Sequence, residues 1–324
     1  MTYAPVCIPT LNRYEHLRKC LESLSRCTGA DQTEVYVALD YPPLDKWDKY
    51  APGWEKNREF LHSCGDMGFK KLHVIEREEN YGTWLPGDKG NLKVLLNEVI
   101  YPKYDGYITT EDDNIFAPNY LMYVNKGLEK FHDDDTILSL TGYRYFFPYQ
   151  YSENTFIKSF GFNPWGVATW TKKQLATPKL TKNWYRLQLS VCNSIKVYRR
   201  LGLNGLISFW NSCTTRWNGM VIDNNIGVYQ ALTGKWQIFP REFLVKNIGM
   251  DGSGVTFGLL DPQLQAQFDA VQLSTNTDYQ FIGTGLENAS TNKKIGQQYD
   301  ILRQPFGIRV KRFIKGLIKL FVFK

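Results

Sequence analysis

Along the first 140 residues, short apolar runs alternate with stretches whose apolar positions recur every three or four residues. Val6-Cys-Ile-Pro9 reads as a buried strand, and a polar turn, Thr10-Leu-Asn-Arg13, follows it. Leu17, Cys20 or Leu21, and Leu24 then share one helical stripe with charges between them. Glu34-Val-Tyr-Val-Ala-Leu-Asp40 predicts a second strand that ends in a carboxylate, and Leu72-His-Val-Ile-Glu76 a third. After a Gly-rich loop over 80–90, helical spacing returns at Leu92, Leu95, Leu96 and Val99. A fourth strand over 107–110, an amphipathic stretch marked by Leu121, Val124, Leu128 and Phe131, and a fifth strand at Ile137-Leu-Ser-Leu140 complete the series. Beyond residue 145 the pattern loosens. An aromatic-rich region over 143–170 gives way to helical material to about 235, then a strand at Trp236-Gln-Ile-Phe-Pro240 and another Gly-rich loop.

Strands alternating with helices imply an α/β fold with a mostly parallel sheet flanked by helices. Ligands of such sheets bind beyond the carboxyl ends of the strands. Asn12 and Arg13, Asp40, the 80–90 loop and the triplet Glu111-Asp112-Asp113 all follow predicted strands. They are therefore expected on one edge.

The triplet is the most informative of these. Three adjacent carboxylates raise one another's pKa unless positive charge sits among them. A hard divalent cation carrying a diphosphate is the usual solution.

Composition changes this picture only at the end of the chain. The 43% hydrophobic and 15% aromatic content suits a globular core. The six cysteines form no CxxC pair and no metal-ligand spacing, which predicts reduced thiols in a cytosolic setting. No leader pattern opens the sequence, and no run reaches the roughly 18 apolar residues of a membrane span. Residues 303–324 hold seven Lys and Arg and no acidic residue, so of the 39 basic residues 32 remain elsewhere against 32 acidic ones. The net charge of +7 thus belongs to the tail, which argues against a nucleic-acid-binding body. In that tail Val310, Phe313, Ile314, Leu317, Leu320 and Phe321 fall on one side of a helical wheel and Arg309, Lys311, Arg312, Lys315 and Lys319 on the other. That is the signature of a helix lying in an anionic membrane surface.

Six stretches, Val6–Arg13, Val37–Asp40, Asn80–Asn91, Thr109–Asp113, Trp165–Trp170 and Asn247–Gly254, occur in an order and spacing that resembles the nucleotide-sugar glycosyltransferases of the GT-A fold. The bacterial family 2-like enzymes of surface-polysaccharide synthesis are the nearest in kind, with some similarity to N-acetylglucosaminyltransferase I. The resemblance implies a nucleoside-diphosphate sugar donor, with UDP favoured, and Mn²⁺ or Mg²⁺. Pro9, Asn12 and Arg13 match the turn that holds the nucleotide, and Asp40 the carboxylate that reads base or ribose. Asn80, Gly82, Lys89 and Asn91 match the donor-side loop. Glu111 and Asp112 would orient ribose and sugar, and Asp113 would hold the metal. Ser253 lies in the loop that closes over the diphosphate, and Trp165 and Trp170 would line the acceptor pocket. Asp223, which opens a helix followed by a strand ending in Pro240, matches the general base of inverting transfer, although Ile222 stands where relatives carry Trp. None of the four histidines is given a catalytic role.

The organisation expected is a nucleotide-sugar-binding half over 1–142 and an acceptor and catalytic half of the same domain over 143–274. A linker or irregular surface over 275–302 and a basic amphipathic tail over 303–324 follow. The partners implied are a nucleotide-sugar donor, a glycan or lipid-linked acceptor and an anionic membrane surface, with no nucleic acid; the place implied is the cytoplasmic face of the membrane. A nucleotidyltransferase of related fold is an alternative, but Pro9-Thr-Leu-Asn-Arg13 lacks its Gly-rich signature. A non-catalytic carbohydrate-binding protein is another, against which the intact triplet and Asp223 argue.

Overall fold

The computed structural model describes residues 3–82, 90–145, 154–214, 222–253 and 262–287, together with Gly307, Lys311, Ile314, Lys315 and Ile318. Its strands in chain order are β1 (Val6–Thr10), β2 (Glu34–Leu39), β3 (Lys71–Glu76), β4 (Gly106–Thr109), β5 (Asn114–Phe116) and β6 (Ile137–Thr141), then β7 (Phe156–Ser159), β8 (Val167–Trp170), β9 (Trp236–Pro240), β10 (Val245–Asn247) and β11 (Leu286–Glu287). The helices are α1 (Tyr14–Ser25), α2 (Trp47–Ser63), α3 (Asn91–Leu95, continued by a π-turn over Leu96–Ile100), α4 (Tyr120–Lys130), α5 (Thr171–Leu175), α6 (Lys182–Gln188), α7 (Val191–Thr214), α8 (Ile222–Thr233) and α9 (Pro262–Asp269).

Nine strands form one sheet in the order β11-β7-β9-β6-β8-β4-β1-β2-β3. β3, β2, β1 and β4 are mutually parallel, β6 and β9 run with them, and β8, β7 and β11 run against them. The α/β, mostly parallel expectation is met. Both faces of the sheet are covered, which is why its first strands read as unbroken apolar runs. Val6, Ile8, Val35, Val37 and Leu39 face one way, against α1 and α4. Cys7, Tyr36 and Ala38 face the other, against Leu95, Leu96 and Ile100. The α1 stripe buries Leu17, Cys20, Leu21 and Leu24 as its spacing predicts.

The chain leaves β1 towards β2 and β3, then returns to place β4 on the other side of β1. In sheets of this kind such a reversal leaves a crevice beyond the carboxyl ends of the flanking strands, here β1 and β4, where ligands bind. The two-stranded β5–β10 pair sits beside it, with Asn247 opposite Asn114. Helices α6, α7 and α8 pack together around Tyr185, Val197, Phe209, Trp210 and Val228 as a second core.

Three elements differ from the sequence reading. The aromatic-rich region contains β7 and β8, each four residues long, and β8 inserts antiparallel between β4 and β6. Helix α2 has no strong apolar stripe and carries Pro52 inside it, so its periodicity is faint. The stretch read as a linker or irregular surface is irregular over 275–285, yet it is fastened to the body. Lys126 Nζ donates to Asp278 at 2.6 Å, Tyr279 packs against Tyr123, and β11 pairs with β7. The amphipathic tail lies outside the described residues apart from five positions, all helical and exposed.

Candidate active site

The turn after β1 and the turn after β4 meet through Arg13. Its Nη1 donates to Asp113 Oδ2 at 2.7 Å and its Nη2 to Asp112 Oδ1. Against the cost of its own burial, the two carboxylates hold the Arg13 guanidinium firmly charged. Thr10, the last residue of β1, donates its hydroxyl to Asp112 Oδ2 at 2.7 Å. Asn247 Nδ2 donates to Asp113 Oδ1 at 2.7 Å and to Asn114 Oδ1 at 3.0 Å, and Ile248 N donates to Asp113 O at 2.8 Å. The positive charge that the triplet requires is therefore supplied from within the chain.

One guanidinium does not balance the cluster. Burial, then the neighbouring charges of Asp113, Asp223 and Asp112, drives the Glu111 carboxyl well above the usual carboxylate range. Burial likewise pushes Asp112 up against the pull of Arg13. Asp223, in the first turn of α8, is pushed up to about 6 by burial. Its charge acts on the Glu111 carboxyl although it stands 110 residues beyond Asp113 in the chain.

This donor set suits a hard divalent cation, because the oxygens are carboxylate and the excess charge is negative. Among the described residues no three His, Cys, Asp or Glu side chains already converge as a metal cage. Mg²⁺-type sites need none, since one or two carboxylates and the substrate's phosphates complete them. Each Asp113 oxygen accepts one hydrogen bond and keeps a lone pair.

Other expected residues fall differently. Asp40 is buried, and its acceptors are taken up by Tyr41 N, Tyr81 N, Gly82 N and Asn80 Nδ2, so in this conformation it clamps the 80–82 backbone instead of facing a base or ribose. Asn91 is buried as well. It donates to Ala38 O, accepts from Arg77 Nε, and its N–H meets Gly82 O at 2.9 Å, which ties the two ends of the loop together. Its side chain and N–H support the ends of that loop. Pro9 is half-buried within β1, and Asn12 packs against α2, where a Cβ on Gly53 would lie 2.2 Å from Asn12 O. Lys89 lies outside the described residues. Ser253 is exposed and bonded to Asp251 within its own turn, while Asp251 pairs with His16 at 3.2 Å.

The two tryptophans separate. Trp165 precedes β8 at the crevice end of the sheet and stacks edge-on to Tyr143 at 4.8 Å. Trp170 ends β8 opposite Gly106, at the far edge, buried with its Nε1 donating to Leu128 O and Lys173 Nζ over its ring. Because β8 runs antiparallel to β4, five residues carry the chain across the sheet. Trp170 is a core residue and does not line an acceptor pocket.

Thr10, Asn247 and Gly249 were not singled out by the sequence. Thr10 could have been found from its place at the end of the first strand, and Asn247 as the residue leading into the Gly-rich loop. A Cβ on Gly249 would lie 2.0 Å from Asp113 Oδ2, so the loop approaches the carboxylate as only glycine allows.

No family model and no curated protein matches the chain. Among solved structures it is similar to S. aureus TarS (17% identity, TM-score 0.34, covering 52% of this chain and 47% of that one). It is also similar to the mannosyltransferase PcManGT of Pyrobaculum calidifontis, solved with GDP-Man and Mn²⁺ (15%, 0.32, 54% and 46%). A third is the apo-form glycosyltransferase GlyE of Streptococcus pneumoniae (14%, 0.25, 53% and 35%). The chain spans half or less of the length of each.

Proposed function

We propose that the protein is a metal-dependent glycosyltransferase, moving a sugar from a nucleoside-diphosphate sugar, with UDP favoured, to a glycan or lipid-linked acceptor of surface-polysaccharide synthesis. The observation that carries this is the carboxylate cluster of Glu111, Asp112 and Asp113, bonded to Arg13 at the reversal of the strand order, with the charge of Asp223 acting on Glu111. Unbalanced charge at a place where α/β sheets bind ligands marks a candidate functional site.

Each residue then has a task. Asp113 would hold Mn²⁺ or Mg²⁺, which would supply positive charge beside the departing nucleoside diphosphate. Arg13 adds a second positive charge beside that leaving group. Glu111 and Asp112 accept hydrogen bonds from ribose or sugar hydroxyls. Asp223 takes the proton of the acceptor hydroxyl as its oxygen attacks the anomeric carbon from the face opposite the diphosphate, giving inversion. Trp165 offers an indole face to the acceptor.

The basic tail over 303–324 lays its apolar side into an anionic bilayer and keeps the enzyme at the inner face of the cytoplasmic membrane. Lys311 and Lys315, and Ile314 and Ile318, each four residues apart and all exposed, support this reading. No helix of the described residues is long and apolar enough to cross a membrane.

The test is a screen of sugar nucleotides for binding, by calorimetry with and without Mn²⁺ or Mg²⁺, followed by hydrolysis or transfer of the binders. Metal-dependent binding that is lost in Asp113→Ala is expected. Absence of binding across UDP-, GDP- and dTDP-sugars with either metal overturns the proposal.

A further inference from the structure

The neutral sum of charges over the body conceals a separation. From residue 154 to residue 222 the sequence holds ten Lys and Arg and no Asp or Glu. This segment contains α5, α6 and α7, and the same helices carry most of the large apolar side chains left bare on the described body. Leu187 is 83% exposed, Val191 75%, Tyr198 53%, Ile195 45% and Leu189 37%.

These residues are not scattered. Val191, Ile195 and Tyr198 stand at i, i+4 and i+7, one stripe of α7 before the break at Gly202. Leu187 and Leu189 end α6 and lead into that stripe. Arg199 is exposed and borders it on the wheel, and Lys196, also exposed, lies farther round on the same flank. Val197, on the opposite side, is fully buried in the helical core, so the helix is already seated and its bare stripe is not its packing face. A basic margin beside a bulky apolar stripe, with no acidic residue on α6 or α7, matches the interface of an anionic bilayer.

The surface is also placed to matter. Tyr185 of α6 donates its hydroxyl to Asn225 O at 2.8 Å, and Ser212 of α7 bonds Asn225 Oδ1 at 3.0 Å. Asn225 lies two residues from Asp223, on the same helix. The helices that carry the face are thereby tied to the helix that carries Asp223.

We infer that the α6–α7 face is a second membrane-docking surface, independent of the tail, that seats Leu187, Val191, Ile195 and Tyr198 among anionic lipid headgroups. Two other occupants fit worse. A second copy of the chain would set like charge against like charge across a two-fold axis. A nucleic acid would use the basic residues and leave five apolar side chains without a role. The inference does not depend on glycosyl transfer, so vesicle binding can fail while sugar-nucleotide binding stands, and the reverse.

The experiment uses the full chain and vesicles of phosphatidylcholine, alone or with one-quarter phosphatidylglycerol. Wild type should bind the anionic vesicles and not the neutral ones. Val191→Asp with Ile195→Asp should bind at least about tenfold more weakly, and Lys196→Glu with Arg199→Glu should move the same way. All four positions are exposed, and unchanged melting curves would show that folding is intact. A fluorophore on Cys192, exposed on the same helix, should shift to the blue on anionic vesicles in a Cys64→Ser background. Unaltered binding by both double variants, or an unshifted probe, overturns the inference. So does a wild-type dimer that the aspartates dissociate, or duplex DNA binding as tight as vesicle binding.

Discussion

Arg13 Nη1 and Asp113 Oδ2 lie 2.7 Å apart although 100 residues separate them in the chain. The bond joins the two turns that flank the strand-order reversal, and a second arm of the same guanidinium reaches Asp112. One side chain thus fixes the crevice mouth and supplies the cation among its carboxylates. Arg13 matched a nucleotide-binding turn in the sequence; the structure gives it a partner inside the protein first. A diphosphate entering the crevice would share this guanidinium with Asp112 and Asp113.

Replacing Arg13 by Gln should leave Asp112 and Asp113 facing each other without a counter-charge. The guanidinium is 21% exposed, so the loss should be about 2–3 kcal/mol, below the range for a fully buried pair. Thermal unfolding without metal should show the drop, and millimolar Mg²⁺ or Mn²⁺ should restore part of it by standing in for the lost charge. An unchanged melting temperature would mean the pair contributes nothing.

Gly249→Ala tests the approach of the 247–253 loop. The new methyl would sit 2.0 Å from Asp113 Oδ2 and 3.1 Å from Arg13 Nη1, so either the loop or the carboxylate has to move. Displacement on the scale of an ångström at a reacting site is costly, and turnover should fall by about tenfold or more with the fold intact. Wild-type turnover in this variant would separate the loop from the chemistry.

Asp40→Asn should loosen the backbone over 80–82. Asp40 accepts from the N–H groups of Tyr41, Tyr81 and Gly82, and an amide would turn a donor towards at least one of them. A buried N–H left facing a donor costs about 1–3 kcal/mol. Hydrogen exchange at Tyr81 and Gly82 should accelerate, and sugar-nucleotide affinity should weaken with kcat less affected. Protection equal to wild type would return Asp40 to the ligand-reading role expected from sequence.

The parallel half of the sheet was legible because burial on both faces leaves a signature in consecutive residues, as in Val35 to Leu39. β7 and β8 were not, since four residues set between aromatic loops carry no period and their pairing with β9, β4 and β6 is long-range. Position after a strand correctly gathered Arg13 and the triplet on one edge. It could not distinguish Asp113, which meets Arg13, from Asp40, whose acceptors close a loop. Trp170 failed for a geometric reason, because its strand runs backwards and carries it to the far edge. Net charge misled in another way: 32 basic and 32 acidic residues cancel as a sum while one segment holds ten of the former and none of the latter.

As the proposed base, Asp223 would give the reaction a pH dependence whose sign follows from its burial. Its carboxyl, ordinarily near 3.8, is pushed up to about 6. A general base acts only when ionised, so turnover should climb with unit slope below pH 6 and level above it. Asp223→Asn should abolish that limb and lower turnover by about 10²–10⁴-fold while sugar-nucleotide affinity stays near wild type. Stability should move oppositely. The folded state holds this proton more tightly than the unfolded chain, so its contribution is present below pH 4 and lost as pH rises through 6. Asn cannot ionise, and the variant should be more stable than wild type at pH 8 by on the order of 1–3 kcal/mol, with the difference vanishing near pH 4. A variant that is slower yet no more stable at pH 8 would show that Asp223 ionises without penalty, and one that transfers sugar at the wild-type rate would remove it as the base.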